Sequence, residues 1–252
     1  KILIANRGEI SVRIIRTARK MGIQTLAVYA EADRNSLHVS LADEAVFLTG
    51  TDLQETYLNQ QLLIQVALER KVEAIHPGYG FLAENASFAE AVEKAGLIFI
   101  GPAPDQIRLM GEKKEAIELA RSLEIPVLNS LQGNKTELFE NADQIGYPLM
   151  VKASAGGGGK GMFIVPSKNE LKLTLEKAER QAFDYFNNGD LLIEKYIPNS
   201  RHIEVQLLGD HYGNLVHIFE RECSIQRRFQ KIIEEAPSVS VNKILRKNLC
   251  LA

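Results

Sequence analysis

The chain has 252 residues, 45% of them hydrophobic and 25% charged, a composition that supports a large buried core and more than one domain. A formal net charge of −2 excludes a global field able to hold nucleic acid or an anionic membrane, so any anion must be bound by a local cluster. Two cysteines, Cys223 and Cys250, give neither a metal-ligand spacing nor a disulfide framework.

The opening residues 1–5 form an apolar run, cut by Asn6-Arg7-Gly8-Glu9, that is too short for a signal peptide or a membrane span. The expectation is a protein of the cytoplasm, or of the mitochondrial matrix in a eukaryote, with no nucleic-acid or membrane partner. Short β-branched runs then alternate with helical patterns, which predicts βαβ units and a Rossmann-like parallel sheet. Strands are expected at residues 1–5, 25–29, 45–48, 74–75 and 97–100. Between the first two, Ile10, Ile14, Ala18 and Met21 recur at helical spacing and would turn one apolar face to the sheet. The turn Asn6-Arg7-Gly8-Glu9 is not G-x-G-x-x-G, which removes the main support for a dehydrogenase. Residues 102–128 read as helical, with Pro126 ending the second helix, and Gln132-Gly133-Asn134-Lys135 reads as a surface connection. Further strands are expected at 149–152, 162–165, 191–195, 202–208 and 215–221, with a helix from 168 to about 184 and a hairpin turn at 210–214. The fold class is therefore α/β: a parallel-sheet domain over 1–112, then a mainly antiparallel domain over 113–252.

The sharpest local signal runs from Lys152 to Met162 and contains Gly156, Gly157, Gly158, Gly159 and Gly161. Consecutive glycines pack poorly and lose much entropy on ordering, but their N–H groups can reach an anion with no Cβ in the way. Gly159-Lys160 is followed by Gly161, not Ser or Thr, so the segment is not a Walker A loop. A flexible linker would also use glycines; strand-like flanks on both sides favour a flap over phosphates. Lys113 and Lys152 supply point charges for phosphate oxygens, although either alone also reads as a solvated surface lysine. Glu194, Lys195, Tyr196 and Ile197 close an apolar strand and could wall a flat base. In the run from Glu220 to Pro237 both signs of charge alternate with Gln and aromatic residues, which suits an anion site that keeps its own charges paired. The five histidines have no metal spacing, and His76 beside Pro77 reads as a structural hydrogen-bonding residue.

Taken together, these segments resemble the biotin carboxylase family of ATP-grasp ligases, which carboxylate biotin within acyl-CoA and pyruvate carboxylases. The resemblance is carried, in family order, by Ala5-Asn6-Arg7-Gly8-Glu9, Ala32-Asp33-Arg34, Leu41-Ala42-Asp43-Glu44-Ala45, His76-Pro77-Gly78-Tyr79-Gly80-Phe81, Ile100-Gly101-Pro102, the glycine segment and the run from Gln226 to Pro237. The wording of the glycine segment and of His217-Ile218-Phe219-Glu220-Arg221-Glu222-Cys223-Ser224 is most similar to α subunits of the methylcrotonyl, propionyl or acetyl-CoA type. The resemblance implies an N-terminal domain over 1–112 and the first part of an ATP-grasp domain over 113–252. It implies ATP phosphates at Lys113 and Lys152, covered by Gly156, Gly157, Gly158, Gly159 and Met162. Glu194, Lys195, Tyr196 and Ile197 would hold adenine, and His202 and Gln226 would sit at the nucleotide. Lys231 would bind bicarbonate or the carboxyphosphate made from it, the catalytic role, and Tyr79 and Gly80 would face biotin.

The implied cofactors are ATP, Mg2+ with ligands expected outside this chain, and biotin as substrate on a carrier domain. The implied partners are a biotin carboxyl carrier and a carboxyltransferase subunit, with a homodimer in the full-length enzyme. Phe229 stands where the family has histidine. The family's magnesium-binding glutamates and Glu-x-Asn-x-Arg stretch would follow Ala252, so little carboxylase activity is expected of these 252 residues alone. Two alternatives share the glycine flap: another ATP-grasp ligase, such as a carbamoyl-phosphate or purine-pathway enzyme, and a non-catalytic nucleotide-binding module.

Overall fold

A computed structural model of the protein describes residues 1–111, 113–154, 161–186, 189–210, 212–227 and 230–251, with the backbone alone at 113, 114, 185 and 186. The chain forms two compact units, Lys1–Ala116 and Ile117–Ala252. In the first, β1 (Ile2–Ile4), α1 (Gly8–Lys20), β2 (Thr25–Tyr29), α2 (Leu37–Leu41), β3 (Glu44–Phe47), α3 (Gln60–Glu69), β4 (Ala74–His76), α4 (Ala86–Lys94) and β5 (Ile98–Phe99) are followed by α5 (Pro104–Gly111). The five strands are all parallel, in the order β3-β2-β1-β4-β5.

The period of two along β1 explains why that strand is central. Leu3 and Ala5 face one apolar cluster with Leu26, Ile75, Leu63 and Phe88, while Ile2 and Ile4 face another with Ile14, Ile15 and Ala18 of α1. Met21, expected on the buried face of α1, instead caps the helix and is 68% exposed, because the chain leaves the helical path there through Gly22 at φ +69°. Asn59 and Asn85 start α3 and α4 by accepting from the backbone N–H of Leu62 and Phe88.

Next comes α6 (Lys113–Ser122), which carries the chain from the first unit into the second. The second unit continues with β6 (Ser130–Gly133), α7 (Lys135–Asn141), β7 (Leu149–Ala153), β8 (Phe163–Val165), α8 (Lys168–Phe186) and β9 (Leu191–Lys195). These strands make an antiparallel sheet in the order β6-β9-β7-β8. Its inner face sets Leu149, Val151, Leu191 and Ile193 against Leu171, Leu175 and Ala178 of α8. Gln132 and Gly133, expected within a surface connection over 132–135, belong instead to the edge strand β6, paired with β9 from Ser130↔Glu194 to Gly133↔Leu191. Their polar sequence hid a strand that needs only one buried face.

A second antiparallel sheet follows, built from β10 (Ile203–Gly209), β11 (Leu215–Arg227) and β12 (Gln230–Glu235), with α9 (Lys243–Leu251) beyond it. The strand expected at 215–221 continues to Arg227, and β12 is an addition to the expected set. Cys223 lies inside β11 and is fully buried. Because Ile193 is enclosed at the centre of the first antiparallel sheet, Ile193→Ala is expected to destabilise the second unit by about 2–5 kcal/mol. Urea unfolding followed by circular dichroism measures this as an earlier midpoint of that unit's transition.

Candidate functional site

In the first unit, the loops after β1 and β4 lie at the carboxyl ends of adjacent central strands, the place where open parallel sheets bind ligands. Asn6, almost fully buried, ties them together by donating through Nδ2 to the carbonyls of Pro77 and Tyr79, both at 2.8 Å. Gly78 has φ +70°, and a Cβ there would stand 2.9 Å from Asn6 Nδ2, so glycine is what lets the two loops close up. Tyr79 is held out on this loop with its hydroxyl donating to Glu9 Oε2 at 3.0 Å. Beside it, Arg7 pairs with Asp33 at 3.0 Å and lies over the rings of Tyr57 and Phe81. Burial alone would raise the Asp33 carboxyl, but hydrogen bonds from Tyr57 and Arg7 outweigh it and hold the pKa below the usual carboxylate range. His76 accepts from Gly78 N through Nδ1 at 3.0 Å, as a structural histidine does, and burial keeps its pKa low.

In the second unit, Met150, Lys152, Leu192 and Glu194 share the outer face of the β7–β9 pair, opposite the α8 core. Met150 and Leu192 are buried there, so Lys152 and Glu194 are the polar pair of this face. They are diagonal neighbours across the two strands, and the Lys152 ammonium donates to Glu194 Oε1. The side chains keep 24% and 18% of their exposure, a half-buried ion pair next to the glycine segment. Lys195, one step on, points the other way and donates to the carbonyls of Gly146 at 3.2 Å and Tyr147 at 2.7 Å. The Tyr196 N–H donates to Pro148 O at 3.0 Å, and Ile197 is exposed. Met162 immediately precedes β8 and is partly buried. Gly156, Gly157, Gly158, Gly159 and Phe229 lie outside the described residues, as does the side chain of Lys113.

A second polar group sits on the β10–β12 sheet. Gln226 Nε2 lies 2.8 Å from His202 Nδ1 and donates to Cys223 O at 2.7 Å. Glu204 accepts from Lys231 Nζ through Oε2 and from Arg221 through Oε1. The Lys231 contact is the first cause of the lowered Glu204 pKa, which burial opposes; Glu204 in turn raises that of Lys231. Sequence reasoning missed Glu204 and Arg221. The alternating signs of Glu220-Arg221-Glu222 were the available signal, but pairing across strands needs the register, Glu204↔Arg221, which only the fold supplies.

Behind this face, Glu222 accepts from Ser238 Oγ at 2.5 Å, Ser240 Oγ at 2.8 Å, Arg201 at 2.6 Å and Ser224 Oγ at 3.1 Å. Ser224 Oγ also accepts from the His202 N–H at 3.0 Å, so the chain of bonds ends at a candidate site residue. Glu220, with no exposed side chain, is gripped by Arg246 through Nε at 2.8 Å and Nη2 at 2.6 Å.

Among the described residues, Glu204, Cys223 and Glu234 place ligand atoms within 4.8 Å of one another. They do not fit Mg2+: Glu204 already carries two cations, and burial raises the Cys223 thiol, while magnesium takes oxygens in near-octahedral geometry. No helix among the described residues is long and apolar enough to cross a membrane.

The family description "Biotin carboxylase, N-terminal domain" matches residues 1–107, and "Carbamoyl-phosphate synthase L chain, ATP binding domain" matches residues 112–251. The chain belongs to the biotin carboxylase family. It is 52% identical over 252 residues to the mitochondrial methylcrotonoyl-CoA carboxylase subunit alpha of Rattus norvegicus, covering 99% of this chain and 35% of that protein. It is 48% identical to biotin carboxylase 2 of Bacillus subtilis, covering 99% and 57%. The chain thus spans between about a third and somewhat over half of these relatives. Among solved structures, the biotin carboxylase domain dimer of Hydrogenobacter thermophilus 2-oxoglutarate carboxylase, in complex with MgADP, ADP and bicarbonate, superposes with a TM-score of 0.94 at 46% identity, covering 99% of this chain and 56% of that one. Biotin carboxylase from Campylobacter jejuni gives 0.95 at 41% identity, covering 99% and 57%. The α/β fold with a parallel sheet followed by antiparallel sheets is that of this family.

The two buried carboxylates give this region an acid signature. Hydrogen bonds from Ser238, Ser240 and Arg201 hold the Glu222 pKa at about 2, and Arg246 holds that of Glu220 at about 2, both from an ordinary 4.5. Lowered pKa values mean stability that is complete above about pH 4.5 and is lost as pH falls towards about 2. Acid titration followed by circular dichroism is expected to show this loss in the parent chain, and a shallower pH dependence in Glu222→Gln, which cannot ionise.

Proposed function

We propose that this chain is the nucleotide- and bicarbonate-binding part of a biotin carboxylase, in which ATP and bicarbonate give carboxyphosphate and its carbon dioxide passes to biotin. Lys152 and Lys113 would meet the phosphates, with Gly156, Gly157, Gly158, Gly159 and Met162 over them. Glu194, Lys195, Tyr196 and Ile197 would hold adenine; since the Lys195 ammonium is committed to two carbonyls, its part falls to the backbone. His202 and Gln226 would stand at the nucleotide, and Lys231 would take bicarbonate. Tyr79 and Gly80, at the carboxyl ends of β1 and β4, would face biotin on its carrier domain. Domain limits of 1–112 and 113–252 fit this division of labour.

The observation that carries the reading is the half-buried Lys152 beside the glycine segment, with Glu194 as its counter-ion. A phosphate that draws the ammonium from Glu194 replaces one anionic partner by another, so the lysine stays compensated in both states. Attack on a phosphate by bicarbonate gathers negative charge, which fixed cations and N–H groups stabilise, and a covering segment would exclude water from the labile mixed anhydride. Magnesium would add charge neutralisation between the phosphates when bound. The similarity to a methylcrotonoyl-CoA carboxylase α subunit supports a carrier domain and a carboxyltransferase subunit as partners, dimer formation, and a mitochondrial matrix or cytoplasmic setting.

Lys152→Ala removes a charge-assisted hydrogen bond worth about 2 kcal/mol, so ATP affinity is expected to fall roughly 30-fold by calorimetry. Lys231→Ala, at the bicarbonate position, is expected to leave it within about threefold. Unchanged affinity in Lys152→Ala would sink the assignment.

A further inference from the structure

One cation of the β10–β12 sheet has no part in the nucleotide or bicarbonate roles given above. Arg221 approaches Glu204 through Nε at 2.7 Å and also through Nη2, both on Oε1, while Lys231 takes Oε2. Glu204 is therefore divided, one oxygen to each cation. The strand pairing enforces this: Glu204 lies directly opposite Arg221 between β10 and β11, and Lys231 comes in from β12, opposite Gln226. Three further groups face the cluster. Glu234 of β12 stands 3.7 Å from Arg221 Nε and is 45% exposed, His202 Nε2 lies 3.8 Å from Glu204 Oε2, and Cys223 of β11 is buried next to the carboxylates.

We propose that Arg221 is a positioning residue for the anion site at Lys231: by occupying Oε1 of Glu204, it leaves Lys231 a cation with charge and donors to spare. The inference rests on the reading of Lys231 as the bicarbonate residue. An ammonium with a whole carboxylate to itself forms a neutral pair and offers little attraction to a second anion. Two cations sharing one carboxylate carry an excess of one positive charge, and Glu234 offsets it only partly because water screens that exposed side chain. Lys231 has three N–H donors and spends one on Glu204, so two remain for an incoming oxyanion. Arg221 suits its part because its rigid fork delivers two donors to one side of the carboxylate and never loses its charge.

The test reads the Lys231 charge without requiring catalysis. Acetic anhydride labels neutral amines, so labelling of Lys231 against pH, read by mass spectrometry, gives its titration midpoint. Arg221→Gln removes a nearby positive charge, which favours the ammonium form. The midpoint is expected to rise by on the order of half a pH unit, about a threefold slower labelling at a fixed pH below it. Arg221→Lys is expected to return most of that change. Inorganic phosphate or bicarbonate should shield Lys231 in the parent chain and in Arg221→Lys, and much less in Arg221→Gln. An unmoved midpoint in a folded Arg221→Gln variant overturns the proposal. Should that variant not fold, Glu204→Gln decides: Arg221 then stands beside Lys231 with the exposed Glu234 as its remaining counter-charge, and the midpoint should drop below that of an ordinary lysine, whereas a value at or above it overturns the proposal. A midpoint that moves as expected while neither anion shields the parent Lys231 counts against the bicarbonate reading, not against the sharing of Glu204.

Discussion

The β10–β12 sheet depends on carboxylates where the other two sheets depend on apolar cores. Among its described residues Cys223 is the buried apolar side chain, while Glu220 and Glu222 are buried and Glu204 is half-buried. Glu222 ties Ser238, Ser240 and Arg201 to β11, and Glu220 holds Arg246 of α9 against the same strand. A carboxylate removed from water is costly unless each lone pair finds a donor, so such contacts select one arrangement and penalise near misses. His202, Gln226 and Lys231 inherit their positions from that arrangement. The strand geometry puts the paired acids and the candidate site on opposite sides of the same backbone, so support and chemistry are separated without distance.

The first unit solves a related problem with a different device. Its central strands bury both faces almost throughout, so the groups of any site there would come from the loops at the carboxyl ends of β1 and β4. Asn6 then acts for those loops as Glu222 acts for β11. Its amide supplies two donors to carbonyls that would otherwise need water, and Gly78 permits the approach.

Much of this was legible in the sequence, for physical reasons that can be named. The β1 and β2 runs and the α1 stripe were readable because burial on both faces or on one helical face leaves a strong pattern. The glycine segment and Lys152 stood out because four consecutive glycines have no use in a core. What could not be read was pairing. Ser130–Gly133 is polar and found its place through the backbone of β9, and Arg221 found Glu204 through a register that composition does not encode. Met21 misled because an apolar residue at helical spacing was counted after the helix had already ended.

The placement of Lys152 and Glu194 on neighbouring strands has a bearing on folding itself. In β7, side chains alternate between the α8 core and the outer face, so a slip of one residue against β9 would turn the lysine towards that core and Val151 outward. Such a misaligned sheet would bury an unpaired ammonium and strand a carboxylate, a state far above the native one. The same pair of charges on neighbouring strands thus favours one register of the sheet over its one-residue alternatives.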